Sequence, residues 1–316
     1  MKLIVTSLLV FLGLFSAYHV AVKRLPPKLA AGDMAGSQPE RNLMRAQAYV
    51  HTRNDPPVVV VGSSISERLL DLPPGWYKLS FPGGNAFTGM EVVLRSGKHP
   101  KYVLVETNVL NMDPDRRMLD ALFAPAFKTA RDKLPELMET NKPSHVAVRA
   151  VAMGNDHKPA SGDGVSAEFF DTLVRRRMEE LAKPADGKRL DEIVGRLRQD
   201  VAALEGRGTR VVFFEMPELA GAEGQPLKVS IRERVRAEFP PSQYAWIPDV
   251  EAGRFRTTDA VHLTPESARM YCAVVSEYMT PLAGDGPRIG RTVVLAPTTG
   301  PATGAEARTG RAQIEY

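Results

Sequence analysis

A run of four valines that ends in glycine and two serines, Val58-Val-Val-Val-Gly-Ser-Ser64, constrains the fold more than any other segment. Strands that are buried on both faces of a parallel sheet read as continuous apolar runs rather than as alternating ones. Sites in open α/β sheets lie just outside the carboxyl ends of such strands. The segment therefore predicts a central parallel strand that delivers a serine hydroxyl to the edge where a site would lie.

Strand and helix signals alternate along the rest of the chain. Further strands are predicted at residues 76–81, 102–106, 144–151, 209–215 and 244–247, and helices at 91–96, within 114–140, at 167–182, 189–205 and 227–239, and from 265 onward. Thr264 and Pro265 are typical of a helix start, because the hydroxyl can cap the free N–H groups and proline lacks one. The alternation predicts an α/β fold with a mainly parallel sheet and helices on both faces.

The amino terminus predicts membrane insertion. Residues 3–22 are mostly apolar and lie between Lys2 and the pair Lys23-Arg24. Twenty helical residues at about 1.5 Å each span roughly the 30 Å hydrocarbon core of a bilayer. The flanking charges and the length favour an uncleaved anchor, although small residues such as Ser16 and Ala17 also suit a signal peptide. Either outcome implies export of the body.

The domain organisation follows from these signals. We expect a transmembrane anchor or signal peptide at residues 1–24, a linker at 25–56, one folded domain at 57–283 and a disordered tail rich in Gly, Pro, Thr and Ala at 284–316.

Charge and cysteine content argue against two functional classes. The formal net charge is +4, but basic residues alternate with acidic ones, as in 175–180, rather than with aromatics, which disfavours nucleic acid as a partner. The single cysteine, Cys272, excludes an internal disulfide and a multi-cysteine zinc site, and its apolar helical context predicts a buried thiol. Five histidines lack an acid at a suggestive spacing, so we expect no metal site and no cofactor: His19, His51, His99, His145 and His157.

Asp259 and His262 supply what a serine nucleophile needs. A hydroxyl reacts poorly until a base takes its proton and a third group orients that base. Alone, Gly-Ser-Ser is common in turns, and an Asp-x-x-His pair often caps a helix. The two motifs together, one after the first strand and one before the last helix, predict a catalytic serine.

With these elements placed, the chain resembles the SGNH, or GDSL-type, hydrolase superfamily over residues 57–110 and 209–280. The first block of that family is a strand ending in Gly-Asp-Ser. Gly62-Ser63-Ser64 is similar, with Ser63 in place of the aspartate, as in membrane-anchored acyltransferase-like branches. The resemblance implies Ser64 as nucleophile, His262 as base, Asp259 as its orienting acid, and a flavodoxin-like three-layer fold.

The second and third blocks supply donors to the oxyanion. The segment 79–85 is similar to the second block, with Gly83 as the better match for its glycine and Gly84 as the alternative. The third block is a strand that usually ends in Gly-x-Asn-Asp. Residues 103–108 keep the strand and an asparagine but lack the glycine and the aspartate. The resemblance implies Asn108 in the oxyanion hole, with Asn111 as its rival.

The resemblance also implies a function. We expect a serine-dependent ester hydrolase or O-acyltransferase that acts on acetyl or other short acyl groups of a cell-envelope or secreted polysaccharide. Water as the acceptor makes an esterase, and a sugar hydroxyl makes a transferase. The expected partners are an acylated polysaccharide or small ester, the membrane and a membrane-embedded acyl donor. The catalytic domain would be periplasmic or extracytoplasmic at the inner membrane, or secreted after cleavage.

A different class of function stays open. The divergent third block favours a catalytically silent scaffold of the same fold, which would bind glycan or a partner in a polysaccharide export complex. Ser64, Asp259 and His262 argue against this alternative, because a scaffold has no physical need for all three.

Overall fold

The structure, a computed structural model, describes residues 2–24, 36–52, 55–154 and 166–284. The five strands are β1 (Val58–Gly62), β2 (Trp76–Ser80), β3 (Tyr102–Glu106), β4 (Arg210–Phe214) and β5 (Ala245–Trp246). The α-helices are α1 (Lys2–Lys23), α2 (Gln38–His51), α3 (Ser64–Glu67), α4 (Ala86–Ser96), α5 (Arg116–Phe123), α6 (Pro125–Lys133), α7 (Pro143–Gly154), α8 (Ala167–Leu181), α9 (Gly187–Glu205), α10 (Pro226–Glu238) and α11 (Pro265–Gly284). Short 3₁₀ turns occupy Pro135–Leu137, Glu139–Asn141, Ala220–Ala222 and Ala252–Arg254.

The five strands form one sheet in the order β2-β1-β3-β4-β5, and every pairing in it is parallel. The chain runs from β1 outward to β2 and then returns to place β3 on the other side of β1. Strand order therefore reverses between β1 and β3, and ligands of doubly wound sheets bind at the carboxyl ends of the strands at such a point. The α/β prediction is confirmed, with a sheet that is wholly parallel.

Helices cover both faces of the sheet, because the central strands β1 and β3 are buried along their whole length. Val59 and Val61 of β1 pack into a core built with α2, α4, α5, α9 and α10. Val58 and Val60 point the other way, into a core built with α3 and α11 that also buries Cys272. Fully burying a side chain of this size contributes about 2 kcal/mol, so the valine run stabilises both layers at once.

The strand prediction for residues 144–151 is wrong, because this segment lies within helix α7. The alternating valines suggested a period of two, but Pro143 stands at the helix start, where its missing N–H costs nothing. His145 and Arg149, four residues apart, are the buried side chains on one face of the helix. Val148 and Val151 are exposed. The buried face of α7 is thus polar, whereas a helix that packs on a domain normally buries its apolar face.

Part of the expected linker, residues 25–56, is instead helix α2. Ser37 and Glu40 form a capping box, in which the Ser37 N–H donates to the Glu40 carboxylate at 2.6 Å. Ala46 and Tyr49 are fully buried in the core of the domain. The folded body therefore begins before residue 57. The predicted tail, 284–316, lies outside the described residues except for Gly284.

Helix α1 is long and apolar enough to cross a membrane, and its apolar window is not buried against the body. Its last turns do contact the body. The Tyr18 hydroxyl donates to the carbonyl of Asn141, and His19 Nδ1 lies 2.9 Å from both carboxylate oxygens of the buried Glu136. The helix thus reaches the folded domain directly.

Candidate active site

The three residues predicted to carry catalysis lie together. Ser64 is the first residue of α3, directly after β1, and His262 lies in the loop before α11. The Nε2 atom of His262 is 2.9 Å from Ser64 Oγ. The Nδ1 atom of the same ring is 2.7 Å from Asp259 Oδ2. A continuous chain from hydroxyl to imidazole to carboxylate therefore spans residues that are 198 positions apart in the sequence.

The Asp259 carboxylate organises its own loop. Oδ1 accepts hydrogen bonds from the backbone N–H groups of His262, at 2.8 Å, and Val261, at 3.2 Å. Ala260 between them has φ of +68°, a left-handed conformation that a residue with a Cβ adopts at a cost. The turn brings the carboxylate and the imidazole of one short motif into contact and also directs two backbone N–H groups at the carboxylate.

A second set of bonds holds this loop from outside. The His262 carbonyl accepts from both the backbone N–H, at 2.8 Å, and the hydroxyl, at 3.2 Å, of Thr258. Thr257 and Leu263 form an isolated antiparallel bridge beside them. The backbone of His262 is thus fixed on both sides, so the ring has a defined direction toward Ser64.

Asp259 is ionised over the whole physiological range. Partial burial pushes its pKa up, but hydrogen bonds from the His262 ring and backbone and the attraction of a His262 cation outweigh burial and bring the pKa to about 2. An ionised carboxylate only accepts hydrogen bonds, so it selects the tautomer with the proton on Nδ1. Nε2 then carries the lone pair that faces Ser64 Oγ.

Gly83 lies in the turn that follows β2. Ser80 pairs with Gly62, and the Phe81 N–H extends this ladder by donating to the Gly62 carbonyl at 3.0 Å, so the turn comes next to Ser64. Gly83 has φ of +72°, in the region that favours glycine. Within the part of the chain that the structure describes, its N–H makes no hydrogen bond. This free donor suits an oxyanion.

The alternative glycine is engaged elsewhere. The Gly84 N–H donates to the Phe81 carbonyl at 2.8 Å and closes the turn itself. Ser64 offers a second free donor, because the first N–H groups of a helix have no partner within the helix. The backbone N–H groups of Ser64 and Gly83 are therefore the two candidate donors to an oxyanion.

The Asn108 amide, which the resemblance implies in the oxyanion hole, is hydrogen-bonded to the loop after β4. Its Nδ2 donates to the Met216 carbonyl at 2.8 Å and to Glu218 at 3.0 Å, and its Oδ1 accepts from the Met216 N–H at 2.7 Å. Both amide hydrogens are used, so this side chain fastens the end of β3 to the loop after β4. The rival Asn111 is exposed on the surface.

Glu218 explains why Asn108 is held there. This fully buried carboxylate also binds Arg177 at 2.7 Å and Lys228 at 3.0 Å. Burial raises the pKa of Glu218, but the two cations and the Asn108 amide lower it by more, so the net shift is downward. A buried charge needs all of its partners, and an asparagine pulled toward it is unavailable to a substrate.

Two further groups of residues support the site, and neither belongs to a motif that the sequence indicates. Glu106, at the end of β3, accepts a hydrogen bond from the Ser63 N–H at 2.8 Å. Gln38 and Asn42 of α2 donate to the Pro82 carbonyl at 2.6 and 2.9 Å and so hold the turn that contains Gly83. The position of Glu106, an acid at the end of an apolar strand, could have indicated its role from the sequence. No spacing rule links α2 to a turn some forty residues away.

The other histidines mostly have acidic partners, which the sequence did not show. His19 pairs with Glu136, and His51 lies 2.7 Å from Asp132. These partners are 117 and 81 positions away, so no local spacing could reveal them. His157 lies outside the described residues.

The expectation of no metal-ligand cluster among these histidines also needs correction. His145, Glu40 and Glu139 offer ligand atoms within 4.8 Å of one another. The carboxylates already have partners there, because Lys142 pairs with Glu139 and the Ser37 backbone N–H and hydroxyl donate to Glu40.

No family model matches the chain, and comparisons with curated proteins and with solved structures give no match either. The geometry of the site and the motifs that build it are therefore what indicate its chemistry.

Proposed function

We propose that this chain is an SGNH-type serine ester hydrolase or O-acyltransferase with Ser64, His262 and Asp259 as its catalytic residues. The observation that carries the proposal is the hydrogen-bonded chain in which Ser64 Oγ, the His262 ring and the Asp259 carboxylate are linked at 2.9 and 2.7 Å. These distances lie within the reach that proton transfer between nucleophile and base requires.

The chemistry follows from the protonation states. As Ser64 Oγ attacks the carbonyl carbon of an ester, its proton passes to Nε2 of His262, and Asp259 stabilises the imidazolium that forms. The N–H groups of Ser64 and Gly83 bind the negative oxygen. When the tetrahedral intermediate collapses, the bond to the alcohol breaks, and His262 returns the proton to the leaving oxygen. The acyl group is then bound to Ser64.

The second half of the reaction decides the product. Water activated by His262 would release a carboxylic acid, and a sugar hydroxyl in the same place would receive the acyl group. The apolar helix α1 supports a substrate at a membrane. By resemblance, we propose acetyl or other short acyl groups on a cell-envelope or secreted polysaccharide, with a membrane-embedded partner as the acyl donor for a transferase.

The engagement of Asn108 with Glu218 favours the second candidate, a scaffold that keeps the fold without the activity. The two candidates differ in one measurable property, an activated serine. Free serine hydroxyls do not react with fluorophosphonates, whereas a serine paired with a base does.

The test uses the full chain in detergent. We expect it to be labelled by a fluorophosphonate probe and to hydrolyse p-nitrophenyl acetate. Ser64→Ala should abolish both reactions with an unchanged melting temperature. Ser63→Ala should slow labelling, because the Ser63 hydroxyl caps helix α3, but the probe should still attach to Ser64. Absence of labelling in the folded wild-type protein would favour the scaffold, and a probe found on Ser63 instead of Ser64 would move the nucleophile to Ser63.

A further inference from the structure

Glu106 is a buried acid that no step of the proposed reaction uses. It is the last residue of β3, at the carboxyl edge of the sheet, and its side chain is 1% exposed. Removing a carboxylate from water is costly unless hydrogen-bond donors replace the water. The donors around Glu106 therefore show what the residue is built to hold.

Those donors come from the residues on both sides of Ser64. Glu106 Oε2 accepts from the backbone N–H groups of Ser63, at 2.8 Å, and Ser66, at 3.1 Å. Glu106 Oε1 accepts from the Ser63 hydroxyl at 2.7 Å. The same hydroxyl accepts from the Ile65 N–H at 3.1 Å and so caps helix α3. One carboxylate thus fixes the turn in which Ser64 is the partly exposed residue.

Gly62 makes room for this arrangement. A Cβ at Gly62 would lie 2.3 Å from Glu106 Oε2 and 2.2 Å from Ser66 Oγ. Any side chain at that position would push the carboxylate away from the turn. The glycine before the serines is therefore matched to Glu106, on the neighbouring strand β3, and not only to the bend of its own chain.

Ser63 is also matched to Glu106. An aspartate at this position, as in the Gly-Asp-Ser pattern, would place a second carboxylate against Glu106, and two like charges at hydrogen-bond distance strongly oppose each other's ionisation. A serine instead offers a hydroxyl donor. The departures from the family pattern at Ser63 and at the end of β3 thus complement each other.

We propose that Glu106 is a positioning residue that aims Ser64 Oγ at His262 by holding the backbone of Ser63 and Ser66, an inference that rests on the proposed function. It does not touch the reacting atoms. Small displacements of a nucleophile reduce the rate steeply, and about 1 Å can cost a hundredfold. A loosened turn should therefore slow the attack by Ser64 and leave substrate binding almost unchanged.

The first test replaces Glu106 by glutamine in the full chain. Glutamine keeps the size, but its NH₂ group cannot accept the hydrogen bonds that an oxygen of Glu106 accepts. We expect Glu106→Gln to lower kcat for p-nitrophenyl acetate about tenfold, with KM within about twofold. The rate of fluorophosphonate labelling should fall by the same factor. Glu106→Ala removes both acceptors and should cost about a hundredfold where it folds.

A matched control separates positioning from folding. Glu136 is another buried acid, distant in sequence from the site, and Glu136→Gln should label at the wild-type rate per folded molecule. Wild-type labelling by Glu106→Gln, with rates normalised to folded protein, would overturn the proposal. So would rates that fall only in proportion to the folded fraction.

Amide hydrogen exchange across residues 62–70 distinguishes this failure from failure of the proposed function. Faster exchange is expected in Glu106→Ala, because the amides of Ser63 and Ser66 both donate to Oε2 and lose that acceptor, whereas the carbonyl oxygen of a glutamine could replace it. If the wild-type protein neither labels nor hydrolyses, the proposed function fails, and faster exchange then reduces Glu106 to a structural residue. If exchange in the variant is unchanged while the wild-type protein is active, only the proposed role of Glu106 is overturned.

Discussion

Two carboxylates fix the surroundings of Ser64, one through the imidazole of His262 and one through the backbone. Asp259 sets the tautomer of His262 and so decides which ring nitrogen faces the hydroxyl. Glu106 holds the backbone on either side of Ser64. Their electrostatics differ. Asp259 is held ionised by the His262 ring and backbone, whereas burial raises the pKa of Glu106 despite its hydrogen bonds. Asp259 thus places a negative charge beside the imidazole, whereas Glu106 fixes the backbone of the turn through its hydrogen bonds.

The depressed pKa of Asp259 predicts a pH dependence of stability. The folded value is about 2 and the ordinary value is 3.8, so the folded state favours the ionised form. This contribution is fully present above about pH 4 and is lost as the pH falls through the folded value. We expect the difference in melting temperature between the wild-type protein and Asp259→Asn to be constant from pH 7 to 5 and to shrink from pH 4 toward 2.

Kinetics of the same variant give an independent check. Asparagine can stabilise the wrong tautomer of His262, so kcat near pH 7 should fall by orders of magnitude, up to about 10⁴-fold. Other acids are shared by both proteins and cancel in the comparison of melting temperatures. A difference that grows as the pH falls would show that Asp259 is not held ionised by His262.

Residue-scale chemistry was predictable where type and spacing are local. Ser64, Asp259 and His262 each belong to a motif of a few residues, and the structure brings these motifs together. Asn108 was not predictable in the same way, because its position depends on Glu218, which is 110 positions away. A resemblance supplies the family partner of a residue, but it cannot show a competing partner that folding brings next to it.

At the scale of elements, α2 connects the start of the folded body to the candidate oxyanion turn. Gln38 and Asn42 both donate to the Pro82 carbonyl. One turn further along, Arg45 donates to the Ser80 carbonyl and pairs with Glu67 of α3 at 3.1 Å. One face of this helix thus contacts both the turn with Gly83 and the short helix that begins with Ser64.

Loosening α2 should therefore impair catalysis more than stability. Replacing both Gln38 and Asn42 by alanine removes two donors to Pro82. Each such bond contributes about 1 kcal/mol to stability, so the melting temperature should drop by only a few degrees. A turn free to move should present the Gly83 N–H less well, and we expect kcat to fall about tenfold with little change in KM.

Arg41→Ala is the matched control for this experiment. Arg41 lies on the same helix, and its side chain donates to the Gly36 carbonyl rather than to the turn. It should leave kcat within about twofold of the wild-type value. An equal loss of activity in Arg41→Ala and in the double variant would mean that the effect comes from general destabilisation of α2.

Element prediction succeeded where apolar pattern and burial agree. The strands β1, β3 and β4 are continuous apolar runs, and sequence placed each within a residue or two. Helix α7 was mistaken for a strand because its buried face carries His145 and Arg149 while valines face outward. Helix α2 falls within the predicted linker because its first turns are polar. In both helices the burial is decided by partners distant in sequence.

At the scale of the whole molecule, α1 and the body form a direct contact. His19 faces the buried Glu136, and the Tyr18 hydroxyl reaches the backbone of Asn141. Removing α1 would break both of these contacts with the body. The contact supports a helix that is retained as an anchor rather than cleaved.

Topology decides which substrates the site can meet. The long apolar helix resembles an export signal and favours export of the body, whereas Lys23 and Arg24 directly after the helix favour the opposite orientation under the positive-inside rule. We expect export, because a large body that follows a signal-like segment is carried outward. A fusion of alkaline phosphatase after Tyr316 should then be active, with the protein membrane-bound at its full-length mass. Bright fluorescence from a fluorescent-protein fusion at the same point, without phosphatase activity, would place the site in the cytoplasm and direct it to intracellular esters. A shortened, soluble and active fusion would show that α1 is cleaved and that its contact with Glu136 is not kept.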